Sequence, residues 1–168
     1  MAENTTAEDM DMDAFDGDED AQKGKFLTFH LANEDYGIEI RFVTEIIGIQ
    51  KITEVPEMPD YVKGVINLRG KVIPVMDVRR RFRLPPREYD DRTCIIVVDV
   101  GSRAVGLVVD KVNEVADISD SQIEPAPRAG SDKAGQYIRG MGKIGDEVKI
   151  LLDVNRLLFD EELAGLGS

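Results

Sequence analysis

Apolar residues run through this chain in short bursts of strand length. From Lys25 to Ala32, KFLTFHLA alternates Leu27, Phe29 and Leu31 against Phe26, Thr28 and His30. That is the period of two of a strand with one buried face. Asn33-Glu34-Asp35 reads as a turn, Tyr36–Ile40 as the returning strand, Arg41–Glu45 as one helical turn and Ile46–Ile52 as a further strand. Residues 53–62, TEVPEMPDYV, carry Pro56 and Pro59, which cannot donate to a ladder, so a surface loop is predicted. Two β-forming runs follow, Gly64–Leu68 and Lys71–Met76. Arg69-Gly70 between them predicts a tight hairpin with one arginine at its tip. Asp77 can cap a short helix, DVRRRFRL, which Pro85-Pro86 stops.

Residues 87–92 are polar and read as a linker, after which strands alternate again. Thr93–Val100 (TCIIVVDV) and Arg103–Asp110 (RAVGLVVD) flank a two-residue turn, Gly101-Ser102, and Val112–Ile118 is a further strand. Residues 119–136 hold Pro125, Pro127, Gly130 and Gly135 and predict a long loop. Tyr137–Ile144 and Val148–Leu152 make a second hairpin, and Asp153 opens a last short helix, DVNRLLFDEEL.

The two halves repeat each other. YGIEIRFVTEI, starting at Tyr36, lies against VGLVVDKVNEV, starting at Val105, 69 positions on. Tyr61-Val62-Lys63-Gly64 lies against Tyr137-Ile138-Arg139-Gly140, and Asp77-Val78 against Asp153-Val154, both 76 positions on. Two copies of strand, strand, strand, loop, hairpin and helix are the economical reading. About five short strands per copy suit a small barrel, and two barrels could share an apolar seam.

Composition sharpens this picture. Hydrophobic residues make up 42% of the 168, aromatics only 6%, and there is no Trp, so the core is built from Val, Ile and Leu. The net charge of -12 is concentrated at one end. Residues 1–20 hold nine carboxylates and no Lys or Arg, leaving 24 acids against 21 bases elsewhere. Residues 1–24 therefore read as an acidic disordered tail, 25–160 as the folded domain and 161–168 as a C-terminal tail. Within the domain the first barrel is expected at about 25–84 and the second at about 93–160. The tail has neither the basic start nor the apolar segment of a signal peptide, and no run approaches a membrane span. With a single cysteine, Cys94, these features predict a soluble cytoplasmic protein without internal disulfides.

Catalytic constellations are missing from the pattern. His30 lies mid-strand beside phenylalanines, and Cys94 has isoleucine neighbours and no adjacent base. No glycine run forms a phosphate cradle, and the tail's acids lack the spacing of a calcium loop. No catalytic, cofactor or metal residue is expected. One basic cluster, Arg79, Arg80, Arg81, Arg83, Arg87 and Arg92, keeps a second reading open. In it a small β-barrel binds nucleic acid through the stretch 79–92. The near-balanced charge of the remaining chain argues against it.

The residues also carry a family resemblance. FLTFHLANEDYGIEI (26–40), VTEIIG (43–48) and VKGVINLRGKVIPVMDVRRRF (62–82) resemble the CheW family of bacterial chemotaxis coupling proteins. So do VGLVVDKVNEV (105–115), IEPAP (123–127) and YIRGMGKIGDEVKILLDVNRLL (137–158). The pattern G-V-x-N-L-R-G-x-x-x-P-V-x-D is specific to this domain, which also occurs in the kinase CheA and in CheV. With neither a kinase module nor a receiver domain beside it, the chain is most similar to the free-standing coupling protein. The resemblance implies a mostly β fold, two five-stranded Src-homology-type barrels around a shared core with short helices. It implies a non-catalytic adaptor that links the cytoplasmic tips of chemoreceptors to the regulatory domain of CheA in membrane-associated arrays, without inserting into the membrane. By position, Val43, Glu45, Gly64, Arg69 and Gly70 would face the receptor, with Glu45 and Arg69 forming an ion pair. The kinase-contact residues are left unassigned.

Overall fold

The alternation in the sequence becomes eleven strands among the described residues, 22–126 and 136–158 of the computed structural model. The first half supplies β1 (Lys25–Leu31), β2 (Glu34–Glu39), β3 (Val43–Gly48), β4 (Val62–Leu68), β5 (Lys71–Asp77) and helix α1 (Val78–Arg81). The second supplies β6 (Cys94–Val100), β7 (Arg103–Val109), β8 (Lys111–Asp117), β9 (Ile123–Glu124), β10 (Ile138–Ile144), β11 (Glu147–Leu152) and helix α2 (Val154–Leu158). They build a six-stranded sheet in the order β8-β1-β2-β11-β10-β9 and a five-stranded sheet in the order β3-β6-β7-β5-β4. The fold is mostly β, as expected.

Both sheets draw on both halves of the chain. Exchanging β1 with β6, β2 with β7, β3 with β8, β4 with β10 and β5 with β11 turns the five-stranded order into the first five strands of the other sheet. The repeat is therefore real, and each half lends its first two strands to the other half's sheet. The halves join through the parallel contacts β5–β7 and β2–β11 and through the antiparallel pairs β3–β6 and β1–β8. This corrects the contiguous barrels expected at 25–84 and 93–160. Alternation identifies strands but not their partners, and parallel pairing joins segments remote in sequence.

The hydrogen-bonded order of each sheet is linear, and the chain itself connects its two edges. Beyond β3, Thr53 exchanges two 2.8 Å hydrogen bonds with Val65 on β4. Beyond β8, the 3-10 turn Asp120–Gln122 leads into β9, which pairs with β10. Strand β9 falls inside the predicted loop of 119–136.

Element ends differ from expectation for local reasons. The first turn is Ala32-Asn33, with Ala32 at φ 56, so β2 starts at Glu34. The helical turn is the 3-10 segment Ile40–Phe42, and β3 begins at the β-branched Val43 and Thr44. Helix α1 is only four residues long. Asp77 caps it by accepting from the amides of Arg79 and Arg80, and Arg83 at φ 59 ends it in the left-handed region. Residues 1–21 of the acidic tail, 127–135 of the loop, and 159–168 lie outside the described residues. Among the described residues no helix is long and apolar enough to cross a membrane.

The core has three parts. Between the sheets, Leu27, Phe29 and Leu31 of β1 cluster with Ile96, Val98 and Val100 of β6. The alternate residues of the same strands bury on the opposite faces, Ile95 and Val97 with Val75 and Val108, and Phe26 with Ile118 and Leu151. Strands β1 and β6 are thus buried on both faces, which explains the nearly unbroken apolar run CIIVV. Each fully buried aliphatic side chain contributes about 1.5–3 kcal/mol.

Candidate partner-binding site

The predicted hairpin turns at Arg69-Gly70, with Leu68 paired to Lys71 across it. Arg69 has φ 53 and Gly70 φ 85, so both turn residues are left-handed, the geometry that matches the twist of a two-residue hairpin. The Gly70 amide donates to Asn67 Oδ1 at 2.9 Å and stiffens the tip. Arg69 extends from this turn toward β3, on the opposite edge of the five-stranded sheet.

On β3 the pairing with β6 slips between Val43 and Glu45, a bulge that re-aims the side chains there. Thr44 Oγ1 donates to the Val97 carbonyl at 3.1 Å and holds the bulge in place. Glu45 then receives both arms of the Arg69 guanidinium, Nη1 to Oε1 at 3.2 Å and Nη2 to Oε2. The bidentate pair spans the seam between the sheet's two edges. The Arg69 side chain is 69% exposed and that of Glu45 28%, so the arginine remains open to a partner while its direction is fixed.

The other positions implied by the resemblance divide by role. Val43 is half-buried against the core between the sheets. Gly64 is buried at φ 148, and a Cβ there would lie 2.1 Å from the Thr53 carbonyl oxygen. It is the crossing point of the seam. Gly70 is exposed at the tip, where its φ rather than space demands glycine. The structure thus brings Glu45, Arg69 and Gly70 together at an accessible place and assigns Gly64 to the architecture.

Pattern reading missed a second set. Ile46, Val72, Val115 and Val148 are 43–65% exposed, though each sits in a strand. They are two equivalent pairs, Ile46 with Val115 at the 69 offset and Val72 with Val148 at the 76 offset. The repeat was the signal that could have found them. Each sheet therefore presents two solvent-facing apolar side chains at matching positions.

Four of the six arginines in the stretch, Arg79, Arg80, Arg81 and Arg87, are tied into the fold, which weighs against the nucleic-acid reading. Arg79 binds both oxygens of Asp110 at 2.8 Å and also reaches the Pro85 carbonyl. Arg87 joins Asp110 at 3.3 Å and Asp90 at 3.0 Å, and Arg80 donates to the Asp60 carbonyl. The buried Arg81 lies over two tyrosine rings. Burial pushes the Asp110 carboxyl up, but Arg79, the Ala32 amide and Arg87 outweigh it and hold it below the usual range. Tyr89 donates to Asp77 at 2.9 Å, and burial followed by the Asp77 charge pushes its hydroxyl up. These contacts tie α1 and the 85–93 segment to the sheets.

His30 pairs with Asp35 at 2.9 Å, and Cys94 is half-buried. Among the described residues no three His, Cys, Asp or Glu side chains are grouped to hold a metal ion.

Residues 25–162 match the family model of the CheW-like domain. The chain is 43% identical over 140 residues to the chemotaxis protein CheW of Klebsiella aerogenes, covering 83% of this chain and 84% of that one. It is 36% identical over 137 residues to that of Bacillus subtilis, covering 82% and 88%. The crystal structure of the scaffolding protein TtCheW from Thermoanaerobacter tengcongensis superposes with a TM-score of 0.75 at 36% identity, over 83% of this chain and 94% of that one. The chain belongs to the CheW-like domain family, and the CheW proteins it matches are scaffolds rather than enzymes.

Proposed function

We propose that the chain is a chemotaxis adaptor that holds the cytoplasmic tip of a chemoreceptor and the regulatory domain of the kinase CheA in one complex. The observation that carries this reading is the Arg69–Glu45 pair, an exposed, oriented charge on a stiff turn. A helical receptor hairpin docking beside it would use a few apolar anchors and one directed polar contact. Gly64 and Val43 shape this site from below, and Gly70 sets its turn.

For the kinase, the support is the pair of equivalent apolar positions on the two sheets. A regulatory domain built on the same fold would meet a sheet end of this chain with its own, in a pseudo-symmetric contact centred on Ile46 and Val72 or on Val115 and Val148. Recruitment to membrane-associated arrays then follows from the receptor contact and requires no membrane segment in this chain.

The test is a pull-down with a purified receptor tip and a purified CheA regulatory domain, each alone and then together. Binding to each alone and a three-component complex are expected. Capture of neither would sink the reading.

A further inference from the structure

Tyr61 and Tyr137 are equivalent residues 76 positions apart, each just before its hairpin. Each backbone carbonyl accepts the amide that closes its half, from Asp77 and from Asp153, both at 2.7 Å. One guanidinium serves both rings. Arg81 lies 4.1 Å from the Tyr61 centroid and 4.6 Å from the Tyr137 centroid. Its Nη2 donates to the Leu157 carbonyl at 3.3 Å.

Arg81 and Leu157 are themselves equivalents at the 76 offset. The cation therefore stands where the two halves meet and breaks the symmetry there, a guanidinium on one side and a leucine on the other. Beyond Tyr137 the stack continues through Phe82 and Tyr36 to Phe29, with ring centroids 5.7–5.9 Å apart, and so runs into β2 and β1 of the six-stranded sheet.

A cation that is 8% exposed is retained only where oriented partners compensate its lost water. Two ring faces and a carbonyl are among its partners, and they act directionally. A planar guanidinium lies against both rings at one mutual setting of the halves. The aliphatic core between the sheets is attractive without being directional. We propose that Arg81 is a positioning residue that fixes the angle between the two sheets, and with it the relative orientation of the two ends a scaffold presents. The consequence for assembly rests on the adaptor reading; the angle itself is a property of the free chain and is tested there.

The test is a distance distribution between spin labels on the two equivalent hairpin tips. The chain carries Lys71→Cys and Asp146→Cys in a Cys94→Ser background and is measured by double electron–electron resonance. With Arg81 present, one narrow distribution is expected. Arg81→Leu, which makes the joint apolar on both sides, should broaden and shift it while far-UV circular dichroism stays unchanged. Arg81→Lys keeps the charge but not the plane, and should broaden it less. A distribution as narrow and as centred as the parent's in Arg81→Leu overturns the proposal. If Arg81→Leu fails to fold, Arg81→Lys decides in the same way. An Arg81→Lys chain that also fails to fold overturns it too, because the residue would then serve folding and not orientation.

Discussion

The two sheets share one template and fill it differently. On the face of the five-stranded sheet turned away from the core between the sheets stand Ile73, Val97 and Ala104, and the equivalent positions in the six-stranded sheet are Lys149, Thr28 and Asp35. Lys149 is 8% exposed and reaches Asp35 at 2.7 Å and Glu147 at 2.9 Å. Asp35 also meets His30 and Asn113. The hydrogen bond from His30, then that from Lys149, holds the Asp35 carboxyl below its usual range, and Asp35 and Glu147 push the Lys149 ammonium up. The tips differ as well. One carries Arg69-Gly70; the other carries Gly145-Asp146, so Glu114, the equivalent of Glu45, has no tip arginine to meet. The template therefore fixes the alternation and the turns, and leaves the chemistry at each position free provided that partners are supplied together.

The largest effect expected from breaking this comparison is Ile73→Lys. It places the charge of the six-stranded sheet into the five-stranded one, where Ala104 stands in place of Asp35. A buried, unpaired cation should cost about 4 kcal/mol or more in a urea titration. Adding Ala104→Asp should recover a good part of that loss, and a double mutant no more stable than the single would refute the equivalence of the sheets.

Gly64→Ala comes next. The added Cβ meets the Thr53 backbone rather than a side-chain end, and the backbone conformation is strained for alanine. A loss of about 3 kcal/mol is expected by chemical denaturation. Gly140→Ala should cost less, since the new Cβ would lie 2.8 Å from a movable Ile123 methyl and 2.9 Å from the Glu124 carbonyl. Equal losses at the two sites would show that the seams are not distinguished by this clash.

A smaller effect concerns acid. Asp110 and Asp35 both have lowered carboxyl pKa values in the folded chain. A lowered folded value contributes stability that is present in full above the unfolded pKa, about 4, and is lost as pH falls through the folded one. Stability should thus drop on acidification below about pH 4. Asp110→Asn should cost about 2 kcal/mol near neutral pH and progressively less toward the acid end, where the parent has lost the same charge. A constant difference across the acid range would mean that the Arg79–Asp110 contact is not electrostatic.

How much of this was legible in the sequence depends on distance along the chain. Hairpin turns, the Asp77 cap and the strand runs were readable because Gly, Pro, Asp and alternation act over a few residues. The exchange of β1-β2 with β6-β7 was not, because nothing within CIIVVDV says which sheet will receive it. The arginines of 79–92 looked free because Asp110, which neutralises Arg79 and Arg87, lies in the second half. Nothing local marks Lys149 as buried beyond its sharing strand parity with the buried Leu151, because its partner Asp35 lies 114 residues away. The exposure of Ile46 and Val72 was not readable either, since a strand pattern does not separate an apolar residue facing solvent from one facing a neighbour. The Glu45–Arg69 pair was reachable only through family resemblance.

The smallest effect on stability should be the largest on recognition. Arg69 is exposed, and its ion pair contributes at most about 1 kcal/mol to folding, so Arg69→Glu should leave the unfolding midpoint nearly unchanged. The direct measurement is calorimetric titration of a receptor tip into Arg69→Glu and, beside it, into Asp146→Lys at the equivalent tip. At least about a tenfold loss of affinity, or 1.4 kcal/mol, is expected for Arg69→Glu and no change for Asp146→Lys. Unchanged affinity in Arg69→Glu, or equal losses at both tips, would contradict the claim that the fold uses this hairpin twice and its arginine once.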